Sequence, residues 1–212
     1  MPTYTGISDL PLVAGHPALD LVNTVEPRLP VVTADDQVHE QLESAADLLI
    51  WAQRVGLVSE AEATAEEQVW VERPGRARRS LAAVRAGREA LYAILVAAES
   101  DSELELVSGQ WLSVAARTRL RASGGGPARF ERVVGTVPGM VVLDRTVFAV
   151  NELLTAVDLT SLRACPLEEG GCGWLFLDRS RGRTRRWCVM ADCGARAKSR
   201  RLTDRRRAAR AS

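Results

Sequence analysis

Cys165-Pro-Leu-Glu-Glu-Gly-Gly-Cys172-Gly-Trp-Leu-Phe-Leu-Asp-Arg-Ser-Arg-Gly-Arg-Thr-Arg-Arg-Trp-Cys188-Val-Met-Ala-Asp-Cys193 holds every cysteine of a 212-residue chain. Four thiols gathered in so short a span point to one shared task. Two Cys pairs separated by fifteen residues suit four thiolates set tetrahedrally about a Zn²⁺ ion, in a closed structural site. The competing account is a pair of disulfides, which belongs mainly to oxidising compartments, and residues 1–9 give no expectation of an export leader. Zinc held by Cys165, Cys172, Cys188 and Cys193 is therefore the expectation. A catalytic zinc is disfavoured, because such sites keep a position open and use His or carboxylate ligands. The residues between the thiols suggest a treble-clef-like finger. Cys165 to Gly173 reads as a Gly-rich knuckle, Trp174–Leu177 and Thr184–Cys188 as a hairpin, and 195 to about 210 as a helix. Cys193 would then stand at a helix N-terminus, where the dipole favours a thiolate. Trp174, Phe176 and Trp187 are expected to form the small core of this unit.

Working outward, charge separates the chain into two parts. Residues 161–212 carry fourteen basic against five acidic side chains, a net +9, while residues 1–160 carry fourteen against twenty-two, a net −8. The chain as a whole is close to neutral at +1. An acidic body with a strongly basic end calls for a polyanion at that end, nucleic acid first. The candidate contacts are Arg179, Arg181, Arg183, Arg185 and Arg186 between the third and second cysteines, and Arg196, Lys198, Arg200, Arg201 and Arg205 in the closing helix. Like charges at i, i+4 weaken that helix, and a polyanion would relieve the repulsion. RNA or an acidic protein is the alternative partner, since arginine-rich segments serve RNA equally well.

The body reads as mainly α with a small β-hairpin, giving an expected division into domains 1–160 and 161–212. Apolar residues at helical spacing predict helices over 39–55, closed by Gly56, over 60–71, opened by a Ser59/Glu62 capping box and ended by Pro74-Gly75, over 78–99 and over 103–121. Gly124-Gly125-Gly126-Pro127 is the expected stop of the last of these. Phe130–Val134 and Met140–Leu143, flanking Gly135 to Gly139, read as the hairpin, and 146–158 as a further helix. In the amino-terminal stretch, Asp20 and Asn23 either cap backbone at a turn or share a small ligand pocket. His16 and His39 read as surface or packing residues.

Several classes are set aside by the same reading. A hydrophobic content of 46% with 26% charged residues is that of an ordinary globular protein, and no apolar run is long enough for a membrane span. The expected location is the cytoplasm, in association with the nucleoid. No Walker loop, HExxH or GxSxG is present, and the glycine run lacks the strand-to-helix setting of a dinucleotide site, so no enzyme is expected and no catalytic residue is assigned. A DNA-binding transcription regulator is the preferred function, its acidic body sensing a small-molecule effector or forming a homodimer.

The motif Cys165-Pro166, Gly171-Cys172-Gly173-Trp174-Leu175-Phe176-Leu177-Asp178-Arg179-Ser180, Arg185-Arg186-Trp187-Cys188-Val189-Met190, Cys193-Gly194-Ala195-Arg196-Ala197-Lys198 resembles the CGNR zinc finger of bacterial proteins described as stress-induced transcription regulators. Leu19-Asp20-Leu21-Val22-Asn23-Thr24 is similar to the start of the ABATE domain that precedes that finger. The resemblance implies zinc on the four cysteines and DNA binding through the finger. One position departs from the pattern. The Cys-Gly-Asn-Arg signature reads Cys193-Gly194-Ala195-Arg196 here, which removes an amide able to bond backbone or a base but leaves all four thiols.

Overall fold

In the computed structural model, residues 4–30, 32–33, 36–96, 101–123 and 130–211 are described. The chain is mainly helical, with three two-stranded antiparallel sheets among the described residues. It divides into two compact units, and the division cuts across chain order. One unit is Gln41–Val157 with Gly6–Ser8. The other joins Asp9–Glu40, with Tyr4 and Thr5, to Asp158–Ser212. The expected boundary at 160/161 follows the sequence, whereas residues 9–40 belong to the same compact unit as the cysteines. The helical unit is thus an insertion between two parts of the cysteine-bearing one.

The helical unit contains α2 (Ala45–Arg54), α3 (Glu60–Glu72), α4 (Pro74–Val96), α5 (Asp101–Ala115) and α6 (Val141–Ala156), with strands β3 (Arg119–Ala122) and β4 (Phe130–Val133) between the last two. Its core is Leu48, Trp51, Leu91, Val114, Val142 and Leu153, all at most 2% exposed. Helix α2 begins six residues later than the spacing predicts. Ser44 caps it in a capping box with Asp47, the Asp47 amide donating to Ser44 Oγ at 3.2 Å, which sets the first turn there. The Ser59/Glu62 box opens α3 as expected, Ser59 N donating to Glu62 Oε2 at 2.9 Å. Pro74 starts α4 rather than only stopping α3, because the first helical position needs no amide proton.

The expected hairpin pairs differently. Phe130–Val133 lies against Arg119–Ala122, with Leu120 opposite Arg132. The segment predicted to end a long helix is its partner strand, and α5 stops at Ala115. Met140–Leu143 is not a strand. Gly135 and Gly139 take left-handed φ of 73° and 83°, and the buried Glu66 carboxylate accepts the amides of Gly139 at 2.7 Å and Val141 at 2.8 Å. That carboxylate replaces the missing side-chain cap at the start of α6. The glycine run at 124–126 lies outside the described residues.

The second unit is built from both ends of the chain. α1 (Pro17–Val22) is capped by His16, whose Nδ1 accepts the Ala18 amide at 3.2 Å. β1 (Val25–Glu26) pairs with β2 (His39–Glu40), the region predicted to open a helix. β5 (Leu162–Ala164) pairs with β6 (Leu175–Leu177), and α7 (Ala195–Ala211) closes the chain. The finger's hairpin therefore uses Leu162–Ala164, ahead of the first cysteine, in place of the expected return strand Thr184–Cys188. Asp178 prevents that return, since its carboxylate accepts the amides of Ser180 at 2.9 Å and Arg185 at 3.0 Å and folds 178–185 into a closed loop. Arg183 within it adopts a left-handed φ of 48°.

Candidate metal centre

The knuckle is shaped by backbone approach. Cys165 N donates to Trp174 O at 2.9 Å and Gly173 N returns to Cys165 O at 3.1 Å. Gly171 is required between them, because a Cβ there would lie 2.7 Å from Cys165 Sγ and 2.6 Å from Pro166 O. Cys193 sits in a π-helical turn, Met190–Gly194, that leads directly into α7. The four cysteines are each at most 3% exposed, and all are free thiols.

Their sulfurs all lie within 4.8 Å of one another. Cys172 and Cys188 are 3.3 Å apart and Cys188 and Cys193 3.6 Å. A tetrahedral ion with Zn–S bonds of about 2.3 Å sets its sulfurs about 3.8 Å apart, whereas a disulfide needs about 2.05 Å. The separations fit a shared metal ion. The thiols also act on one another: hydrogen bonds from Cys172, Cys188 and Cys193 pull the Cys165 thiol down, Cys193 is lowered as well, and Cys165 pushes Cys172 and Cys188 up. Four thiols packed this closely cannot all ionise by themselves, and a divalent cation would let them do so.

Around the sulfurs stands a layer of arginines, not all of which face outward. Arg196 donates to Cys193 Sγ at 2.9 Å and pairs with Asp192 at 3.3 Å, so it braces a ligand. Asp192 in turn accepts from Tyr4 Oη at 3.1 Å, and the Tyr4 ring stacks on Trp174 at 5.9 Å. Burial and the Asp192 charge push the Tyr4 phenol well above its ordinary range. Arg185 lies 4.2 Å from the Phe176 ring centre and donates to the carbonyls of Trp187 and Val13 at 3.1 Å each. Arg186 and Arg201 share the Glu169 carboxylate, joining the loop before Cys188 to α7. Arg183 stands 3.9 Å from Asp158. Arg179, Arg181, Lys198, Arg200 and Arg205 are exposed. Of the residues expected to contact nucleic acid, Arg185 and Arg196 are structural struts, and the other eight line the surface.

The amino-terminal segment completes the unit. Asn23 Oδ1 accepts the Leu175 amide and its Nδ2 donates to the Leu175 carbonyl, both at 2.9 Å. Ala14 O takes the Leu177 amide at 2.9 Å. Together they cover the edge of β6 that β5 leaves open. Asp20 Oδ1 holds the Ala14 amide at 3.1 Å. Both polar residues are buried and serve backbone groups. Trp174 Nε1 donates to Val25 O at 3.0 Å, and Arg28 N to Cys172 O at 2.7 Å.

Two family models cover the chain. Residues 15–157 match ABATE, whose description is "Putative stress-induced transcription regulator", and residues 161–206 match the CGNR zinc finger. The chain belongs to the ABATE family. Comparison with curated proteins finds no match. The ABATE match contains Asn23, which covers part of the β6 edge, so the first part of that match, residues 15–40, shares a compact unit with the zinc-finger region, while residues 41–157 form the other unit. Sequence reading missed Asn23 and Arg28 in this role. The similarity of Leu19–Thr24 to the ABATE start was the available signal, but nothing in it pointed to a finger strand. No helix among the described residues is long and apolar enough to cross a membrane.

Proposed function

We propose that this ABATE protein is a zinc-loaded DNA-binding transcription regulator. The observation that carries the reading is the join between four buried thiols and the basic helix α7: Cys193 lies in the turn that opens the helix, and Glu169 of the knuckle holds Arg201 within it. A metal that fixes the thiols fixes the direction of the helix. The family's description as a transcription regulator supports a regulatory rather than a catalytic role.

Zinc is the ion we assign, because four thiolates in a closed tetrahedron favour it over oxygen-seeking cations. The residues holding it are Cys165, Cys172, Cys188 and Cys193. Bound zinc supplies structure here, as no position is left for water.

The test uses the full chain, purified reduced. Elemental analysis is expected to give one zinc per molecule, and a preparation without metal overturns the assignment. Duplex DNA binding is then titrated with salt. If the exposed arginines neutralise about five phosphates, log K falls against log salt with a slope of roughly −4 to −5. A flat titration, or binding of structured RNA in preference to DNA, overturns the DNA reading.

A further inference from the structure

Asp192 joins the two ends of the chain at the metal centre. Its Oδ2 accepts from Tyr4 Oη at 3.1 Å, and its Oδ1 lies 3.3 Å from Nε of Arg196, one turn further along. From Nη2, Arg196 then donates to Cys193 Sγ at 2.9 Å. One carboxylate thus connects a phenol 188 positions away to the guanidinium on a metal ligand. Cys193 is set apart by this contact. Among the described residues, no other sulfur of the four accepts from a charged side chain.

Asp192 and Arg196 are partly exposed, and an i, i+4 ion pair on an open helix contributes little by itself. Tyr4 supplies what the pair lacks. Its ring stacks on Trp174, with centroids 5.9 Å apart and planes 18° from parallel. Trp174 is 1% exposed and donates from Nε1 to Val25 O at 3.0 Å, so the phenol reaches Asp192 from a buried anchor. Holding Oδ2 turns Oδ1 toward Arg196. The guanidinium also interacts with Glu26, which is buried, and so answers three anions: Asp192, Glu26 and the Cys193 sulfur. A divalent ion on four thiolates leaves two negative charges uncompensated. A guanidinium bonded to one sulfur offsets part of that excess and fixes the direction of that ligand.

We infer that Tyr4 is a positioning residue of the metal centre: through Asp192 and Arg196 it holds Cys193 on the ion and sets how slowly the ion leaves. This rests on the zinc assignment above. Cys193 lies in the turn that opens α7, so the same contact secures the base of the basic helix.

The experiment uses the full chain loaded with zinc or, for its spectrum, with cobalt(II), and compares it with Y4F, R196A and the double variant. Y4F keeps the ring against Trp174 and removes only the hydroxyl. Zinc transfer to an excess of a chromophoric chelator is expected to be roughly threefold to tenfold faster for Y4F and roughly tenfold to a hundredfold faster for R196A. The double variant is expected to match R196A alone, because Tyr4 acts through the guanidinium. In the cobalt form, the thiolate-to-metal charge-transfer band is expected to move to longer wavelength in R196A and, by less, in Y4F, since a hydrogen bond draws electron density from sulfur. Simple packing of Tyr4 on Trp174 would leave the Y4F band in place. D192A, which removes the middle of the relay, stands in for R196A in the double-variant comparison where R196A takes up no metal. An unchanged release rate for Y4F, or a double variant in which the two effects multiply, overturns the relay and leaves the zinc site standing. Absence of metal from the unaltered chain overturns both.

Discussion

Gly173 takes φ +77°, and the Arg28 carbonyl oxygen lies 1.9 Å from the place a Cβ would occupy. Neither the conformation nor the space admits a side chain. Gly173→Ala is therefore expected to cost roughly 2–4 kcal/mol and to separate the knuckle from residues 25–28. Denaturation of the zinc-loaded chain, followed by tryptophan fluorescence, checks it. Gly182→Ala is the control, since its φ is ordinary and its nearest neighbour is 3.4 Å away. At Asn23 the side-chain amide acts as a surrogate peptide group against Leu175, accepting and donating at once. Asn23→Asp keeps the acceptor but sets a carboxylate against the Leu175 carbonyl, and it is expected to destabilise by about 1–3 kcal/mol. A stability equal to that of the native chain at pH 7 would disprove this role. From sequence, Asn23 offered a turn cap or a pocket. Its partner lies 152 positions away, a separation on which local pattern is silent.

Elements with their own start signals were legible, and those defined by a partner were not. Ser59 and Glu62 announce α3 because both halves of the cap lie within four residues. Leu104, Val107, Trp111 and Val114 announce α5 by their spacing. β4 was visible as a strand, but its partner was not, since Arg119–Ala122 continues a helical pattern and becomes a strand only by pairing. β6 is legible, the expected Trp174–Leu177 forming a strand over Leu175–Leu177, yet its neighbour precedes the knuckle, because Asp178 closes the loop that would have returned. The Glu62 carboxylate carries a pH signature at this scale. Hydrogen bonds from Arg145, and then from Ser59, lower it to about 2. A lowered carboxylate contributes stability that is full above its unfolded value near 4.3 and fades as pH falls toward 2. Its stability advantage over Glu62→Gln is expected to be no more than about 1 kcal/mol at neutral pH, given its partial exposure, and to vanish by about pH 2. Urea denaturation of both proteins across that range measures it, and an advantage that grows on acidification would contradict the assignment.

At the scale of the molecule, the four cysteines read from sequence form the cluster, and the basic end carries the surface arginines. What the sequence concealed is that residues 9–40 share their compact unit. The consequence concerns the metal. In a chain organised as 1–160 followed by 161–212, stripping the ion would loosen the carboxyl-terminal part alone. Here the amides of Leu175 and Leu177 are held by Asn23 and Ala14, and Arg28 N by Cys172 O, so the fold of the amino-terminal stretch depends on the fold of the knuckle. The knuckle and the turn that opens α7 meet at the four thiols, so removing the ion loosens the backbone to which the amino-terminal stretch is bonded. Chelation of the full chain, or Cys188→Ser, is therefore expected to raise amide hydrogen exchange in two separated stretches, 13–28 and 161–207. The amides of α2, α4 and α6 stay protected, because the core around Trp51, Leu91 and Leu153 contains none of the ligands. The isolated fragment 161–212 is expected to take up zinc but to remain more exchange-labile than the same residues in the full chain, with the β6 edge uncovered. Exchange confined to 161–207 on chelation, with 13–28 still protected, would show that the amino-terminal stretch stands without the metal and would refute the composite unit.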